Sequence, residues 1–416
     1  MPKLRIDKTY INDPNDRGGQ EILGRAHKNK KRLFCGCTEP NPELYVASLN
    51  GRYFVKRMPE MGHSHHVECE HYAPRENIGK GLLGDAIREN VETGQVTLRL
   101  GFGLTKTLES SRIPKKKHEE EKTPEITKNR DTTASSKQMG ITSLLHYLYD
   151  EARFNTWSPK MSGKRSWWVI ASHLRKALDG KIGKGEPLAA HTLIPRDVNQ
   201  DEQQAFNKWH KQLMPSNGKK APIGIVIDEL KDIREAKFGM EIELEHLPGR
   251  YIFAEEKVIK RFYSNFELEF DQRDMGARLI FIGTVYLTKG GAMRYDRAGV
   301  LAVDHGSWLP MSDFYGNQLI THAITTDRRF YVPMRYDIDA MMLPTITLTD
   351  TEIPTSVLTA SEMDSKDIYL EEDITTVMWD PETPISLPAK ADWQTRPKSP
   401  AEEIEHDQNA RQAPYF

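Results

Sequence analysis

All three cysteines of this chain fall within its first 69 residues, as Cys35, Gly36, Cys37 and then Cys69, and the last sits among His63, His65, His66 and His71. This concentration of thiols and imidazoles constrains the amino-terminal fold more than any other feature. Zn²⁺ takes four nitrogen or sulfur ligands in a tetrahedron. Two thiolates one residue apart fill two positions from a single turn, and a His- and Cys-rich return segment fills the others. Cys35, Cys37 and Cys69 therefore read as three ligands to zinc, with the fourth open among His65, His66 and His71. No glutamate stands in a hydrolase-type spacing with the histidines, so the metal reads as structural. The long spacer between Cys37 and Cys69 contains a hairpin signal. Leu44 to Leu49 alternates, Asn50 and Gly51 supply a type I′ turn, and Arg52 to Met58 alternates back.

An odd number of cysteines argues against a disulfide framework and for a reducing compartment. Hydrophobic residues make up 38% and charged residues 28% of 416, enough to bury cores in two or three domains. No apolar run approaches the about 20 residues that span a bilayer, and Met1 to Tyr10 lacks the apolar centre of a leader; the expected location is cytoplasmic, with no membrane contact. The net charge of −2 carries no overall nucleic-acid signature, but charge is unevenly placed. Arg25, Lys28, Lys30, Lys31 and Arg32 run directly into Cys35, a second cationic stretch covers 151–184, and acids dominate beyond 361.

The expected fold class is α+β. A zinc-binding β-hairpin module occupies 1–105 and includes a helix over Ile78 to Asn90 and a strand over Gln95 to Leu100. A charged linker follows over 106–138. The region 139–215 is helical, basic and Trp-rich, with helices from Thr142 as cap, from Ser166 to Leu178 and from Gln200 to Leu213. An α/β domain fills 220–393. Its strands are expected at Ile223 to Ile227, Met240 to Leu247 and Leu279 to Tyr286, its helices at Val258 to Phe270 and Phe314 to Thr325, and its extended pieces at 329–336, 346–349 and 356–360. The acidic tail 394–416 reads as disordered.

Lys164, Arg165, Trp167, Trp168 and Arg175 are candidate nucleic-acid contacts, because aromatics set among cations can stack on bases while the cations meet phosphates. A separate constellation, Asp228, Glu229 and Lys231 directly after a strand, gives half of a Mg²⁺-dependent nuclease pattern, in which acids hold the metal and the lysine steadies the attacking water. No upstream acid on a paired strand completes it. His246, His305 and His322 are isolated in sequence, and Asp350 and Glu352 read as solvated turn residues.

Several stretches carry a resemblance: "LLHYLYDEARFNTWSP" with "GKRSWWVIASHL" between 144 and 174, "RMPEMGHSHHVEC" at 57–69, and "RRFYVPMRYDID" with "LPTITLTDT" between 328 and 351. Together they resemble, over nearly the whole chain, the bacterial family designated domain of unknown function 1173. The resemblance implies carriage on plasmids and integrative conjugative elements, without an activity. Its pattern of glycine, two residues, histidine, three residues and cysteine matches Gly62, His65 and Cys69, and so implies His65 as the fourth ligand. The order of elements in 314–360 further follows restriction-endonuclease-like folds. There Thr345, Thr359 and Ala360 stand near where metal-binding acids and a lysine would be, which leaves such a site empty.

The reading that follows is a non-enzymatic, zinc-stabilised accessory protein of a bacterial mobile element that binds DNA, RNA or a partner protein. The alternatives are the Asp228, Glu229, Lys231 nuclease and a protein-interaction scaffold without nucleic-acid contact.

Overall fold

The computed structural model describes residues 4–49, 51–58, 61–66, 69, 71–72, 86–90, 93–107, 138–215, 220–237, 239–334, 336, 343–359 and 374–391. The chain is mixed α+β. Most of the expected linker and all of the expected tail lie outside the described residues. So does Ile78 to Asp85 of the expected helix, whose described end, Ile87–Glu89, is a β-strand instead.

The amino-terminal lobe is a five-stranded antiparallel sheet ordered Thr9–Ile11, Leu4–Ile6, Leu33–Cys35, Glu43–Leu49, Arg52–Arg57. The hairpin forms in the register its turn demands, Leu49 opposite Arg52, with Gly51 at φ 77° where a side chain would be strained. Helix Arg17–Lys28 starts at Asp16, whose carboxylate accepts the Gly19 N–H, and lays Leu23 and Ala26 into the core of this lobe. That core is small, and Cys35, Cys37 and Cys69 form part of it.

The centre of the molecule is a closed ring of five strands. Lys220–Ala236 is long and bends at a register shift between Leu230 and Asp232. Its first half pairs with Arg278–Leu287 and its second half with Gly239–Leu244. Gly239–Leu244 pairs with Ile252–Ala254, which runs parallel to Met293–Val303, which returns antiparallel to Arg278–Leu287. Because side chains alternate across a strand, Val226, Leu230, Leu279, Phe281, Val285, Val300 and Ala302 fall in one cluster, capped by Ile259, Phe262 and Phe266. Ile225, Ile227, Ile280, Ile282, Leu301 and Val303 face the other way, under helices Ile141–Glu151 and Trp167–Ala177. Burial on both faces explains the unbroken apolar run from 225 to 227.

The structure changes several expectations here. The first strand continues well past Ile227. The helix expected over 258–270 is two, Glu256–Asn265 and Glu267–Asp274, and the eleven-residue strand Met293–Val303 had no counterpart in the sequence reading. Thr142 does not cap its helix, because Gly140 takes that position and Thr142 is buried in the first turn against Gly299. A Cβ on Gly299 would lie 2.4 Å from Thr142 Oγ1 and 3.1 Å from its Cα. Gly299→Ala is therefore expected to cost ~1–3 kcal/mol by overpacking, measured as a lower urea midpoint with unchanged m-value.

The carboxy-terminal sheet is ordered Thr375–Trp379, Thr355–Thr359, Ile346–Leu348, Phe330–Tyr331, Thr156–Trp157, with helix Phe314–Thr325 contributing Leu319, Ile320 and Ala323 to its core. Since Thr156–Trp157 pairs with Phe330–Tyr331, and Leu144, Trp167 and Ile170 share a cluster with Ile280 and Leu301, the segments 139–215 and 220–393 share cores. The amino-terminal lobe is joined to this body through Arg153, which donates to the Tyr72 carbonyl at 2.9 Å, and Lys56, which donates to the Gly94 carbonyl at 3.0 Å.

Candidate metal centre

Strand Leu33–Cys35 ends in a turn that carries Cys37, and the Gly62–Ser64 turn delivers His65 opposite it. The thiols of Cys35, Cys37 and Cys69 and one ring nitrogen of His65 all lie within 4.8 Å of one another. Cys35 Sγ stands 3.6 Å from Cys69 Sγ, and His65 Nδ1 stands 3.4 Å from Cys37 Sγ and 3.7 Å from Cys69 Sγ. Backbone N–H groups of His66 and His71 point at Cys37 and Cys69, each at 3.4 Å, as they would to stabilise thiolates. His66 and His71 thus adjoin the cluster through their main chains, and His65 completes it. All four residues are buried.

Left to themselves, these thiols cannot all ionise. Hydrogen bonds from Cys35 and Cys69 draw Cys37 far below the ordinary thiol range, while bonding to Cys37 and Cys69 holds Cys35 far above it. Burial lowers His71 to about 4 and so keeps that ring neutral. A divalent cation among the four donors would let three thiolates coexist, so the residues fit a metal ion of the borderline-soft class.

The structure disperses the candidate nucleic-acid contacts. Arg165 donates to the carbonyls of Phe154 at 3.0 Å and Ser307 at 2.8 Å, and burial lowers its pKa. Trp167 is buried, with its indole N–H on the Pro195 carbonyl at 2.8 Å. Arg175 donates to the Ile194 carbonyl at 2.7 Å and pairs with Glu202. Arg165, Trp167 and Arg175 thus bond to groups of the fold itself and do not stand together as one exposed surface. The reason is that neighbouring loops present carbonyls, a pairing that sequence spacing does not encode. Lys164 and Trp168 remain on the surface, Trp168 being 55% exposed with the Arg196 guanidinium 5.7 Å from its ring.

Asp228, Glu229 and Lys231 do not converge either. Asp228 is fully buried, where it accepts the His246 ring at 2.8 Å and the His246 backbone N–H at 3.0 Å. Burial pushes its carboxyl up to about 6 against the pull of those bonds. Glu229 pairs with Arg278 at 2.7 Å, and Lys231 with Glu243 at 3.1 Å. Among the described residues, the Cys35, Cys37, His65, Cys69 cluster is the only group of three or more potential metal-binding side chains. His246, isolated in sequence, is thus clasped by Asp228 and stacked on Trp167, with ring centroids 5.2 Å apart.

Asp350 is likewise no solvated turn residue. It is buried and receives Arg328 through Nε at 2.9 Å and Nη2 at 2.7 Å. In the 345–359 hairpin, Thr345 Oγ1 meets Thr359 Oγ1 at 3.1 Å, so hydroxyls face each other. Among the described residues no helix is long and apolar enough to cross a membrane.

A family model described as a protein of unknown function, DUF1173, matches residues 6–383. No curated protein and no solved structure matches the chain.

Proposed function

The chain belongs to the DUF1173 family, a membership without an assigned chemistry, and from its residues we propose a zinc-stabilised nucleic-acid-binding accessory protein. The observation that carries the reading is the buried Cys35, Cys37, His65, Cys69 cluster in a lobe whose own apolar core is small. Cys35, Cys37, Cys69 and His65 would hold the ion, whose part is to fix the lobe's shape. Zinc fits best, because three thiolates and an imidazole suit a tetrahedral ion without redox chemistry. Free thiols in a metal site accord with a reducing compartment such as the cytoplasm, and the mobile-element setting follows from the family resemblance alone.

The same lobe carries a cationic flank. Arg25 and Lys28 at the end of helix Arg17–Lys28, with Lys30 and Arg32 leading into the first zinc-ligand strand, are exposed. A fixed cationic surface of this kind binds phosphates by releasing counterions. With a fluorescent duplex as probe, affinity is expected to fall as salt rises. Replacing Arg25, Lys28 and Arg32 by alanine should lower the slope of log K against log salt by roughly 0.9 per residue. Salt-independent binding would overturn the reading.

A protein-interaction scaffold is the second reading. It is favoured by the inward pairing of Arg175 with Glu202 and of Lys181 with Glu151, which removes cations from the second basic stretch. Absence of any binding to single- or double-stranded probes, with the zinc in place, would select it. The nuclease and restriction-endonuclease-like readings gain no support from the dispersed acids or from the facing hydroxyls of Thr345 and Thr359.

A further inference from the structure

The five-stranded ring at 220–303 has a connectivity with consequences for recognition. Its first strand is long, bends, and pairs with both the second and the fourth. The third runs parallel to the fifth, the fifth returns to the fourth, and helices Glu256–Asn265 and Glu267–Asp274 lie between the third and fourth. This order of pairings, with a helix closing the ring between strands three and four, is that of the OB barrel. In that fold the outer surface of strands two and three, rimmed by the one–two and four–five loops, takes oligonucleotides or oligosaccharides. A shared fold does not confer the function, so the side chains on that surface have to carry it.

They are suited to one of these ligands. The opposite outer wall, bearing Ile225, Ile280 and Leu301, is covered by helices. On the remaining wall, register partners bring Arg234, Glu241, Phe253 and Arg294 into one row across four strands, all on the outside because Ile233, Ile242 and Ile252 point inward. Tyr251 lies two residues before Phe253 on the same side, with the Arg234 guanidinium 4.9 Å from its ring centre. Both residues are half-buried. The acids of strand two are neutralised within the wall, Glu241 by Arg234 and Glu243 by Lys231 and Arg234. Arg294 and Lys289 form no ion pair within 4 Å among the described residues, which leaves two cations toward the four–five loop, Lys289 exposed and Arg294 half-buried.

We propose that this wall is a single-strand nucleic-acid site, with Tyr251 and Phe253 stacking on bases and Arg294 and Lys289 meeting phosphates. The site is separate from the amino-terminal flank and needs no metal. Aromatic rings on an exposed sheet favour unpaired bases, because a duplex hides its base faces. An oligosaccharide would not exploit the cations, and a duplex could use only the cations.

The test is anisotropy of a labelled thymidine 15-mer, against a duplex of equal length, with the full zinc-loaded chain. The single strand should bind more tightly than the duplex. Phe253→Ala and Tyr251→Ala should each weaken it ~5- to 150-fold, the loss of one base stack, while Phe253→Tyr and Tyr251→Phe retain binding. Because removal of a half-buried ring can loosen the barrel, Lys289→Glu in an exposed loop serves as a second variant and should weaken the single strand with an unchanged melting curve. Alanine at Arg25, Lys28 and Arg32 should lower duplex binding and leave the single-strand preference, so failure of one site is distinguishable from failure of the other. Equal affinity for both probes, or a single-strand affinity indifferent to both ring deletions and to Lys289→Glu, would overturn the proposal.

Discussion

Replacing Cys69 by serine is expected to release the bound metal and unfold the amino-terminal lobe, while the barrel and carboxy-terminal sheet stay folded. The lobe's buried cluster consists of a few aliphatic residues from short strands and one helix, together with the three cysteines themselves. A core of this size contributes little stability alone. Structural zinc contributes apparent free energies of ~10–16 kcal/mol in small zinc modules, comparable to or larger than the ~5–15 kcal/mol that keep a whole domain folded. Serine supplies neither the thiolate nor its charge, and leaves the donors at three. Limited proteolysis followed by mass spectrometry should show cleavage within 4–72 in the variant and protection in the parent. Acidification should act in the same direction, since protons compete with the metal for Cys35, Cys37, Cys69 and His65. A variant that keeps full metal content and protection would mean that Cys69 is no ligand.

The second large effect is expected at Arg328. Its guanidinium meets Asp350 at 2.7 and 2.9 Å with both side chains about 95% enclosed, and Asp350 also accepts the Arg329 backbone N–H at 2.8 Å. Arg328→Met leaves the carboxylate buried without its cation, which should cost ~3–5 kcal/mol in urea denaturation. Substituting Asp350→Leu in the same chain should recover part of that loss, because the uncompensated charge is then gone. A cost below ~1 kcal/mol for the single variant would show that the pair is solvated.

The Cys35, Cys37, His65, Cys69 cluster was legible because its chemistry is local to a few residue types: three cysteines and a histidine cluster can meet only in a small number of ways. The choice of His65 came from a family pattern and not from spacing, since His66 and His71 lie as near in sequence. In the structure the ring nitrogen of His65 faces the sulfurs, whereas His66 and His71 reach them through backbone N–H groups. The Asn50, Gly51 hairpin was legible for the same local reason. Which groups Arg165, Trp167 and Arg175 bond was not legible, because an arginine or indole finds its carbonyl on loops whose approach spacing does not encode, from Ile194 and Pro195 nearby to the distant Ser307. In sequence Asp228 reads as a metal-holding acid directly after a strand. It is instead interior, tolerated because residues around 246 fold back to supply the ring and N–H that it accepts. Strand Met293–Val303 showed no clear period, as its first half is polar and half-buried after Met293, with Arg294, Asp296 and Arg297, and its second half is buried on both faces. Closure of the barrel, which gives the outer wall its row of side chains, depends on pairings between distant strands that no local pattern displays.

The most direct test of the metal centre is elemental analysis of freshly purified full-length protein, combined with thiol titration before and after a chelator. The account predicts one zinc per chain, with Cys35, Cys37 and Cys69 unreactive until the chelator removes the ion and all three reactive afterwards. Protein free of zinc, or three thiols that react at once with the fold intact, would contradict it.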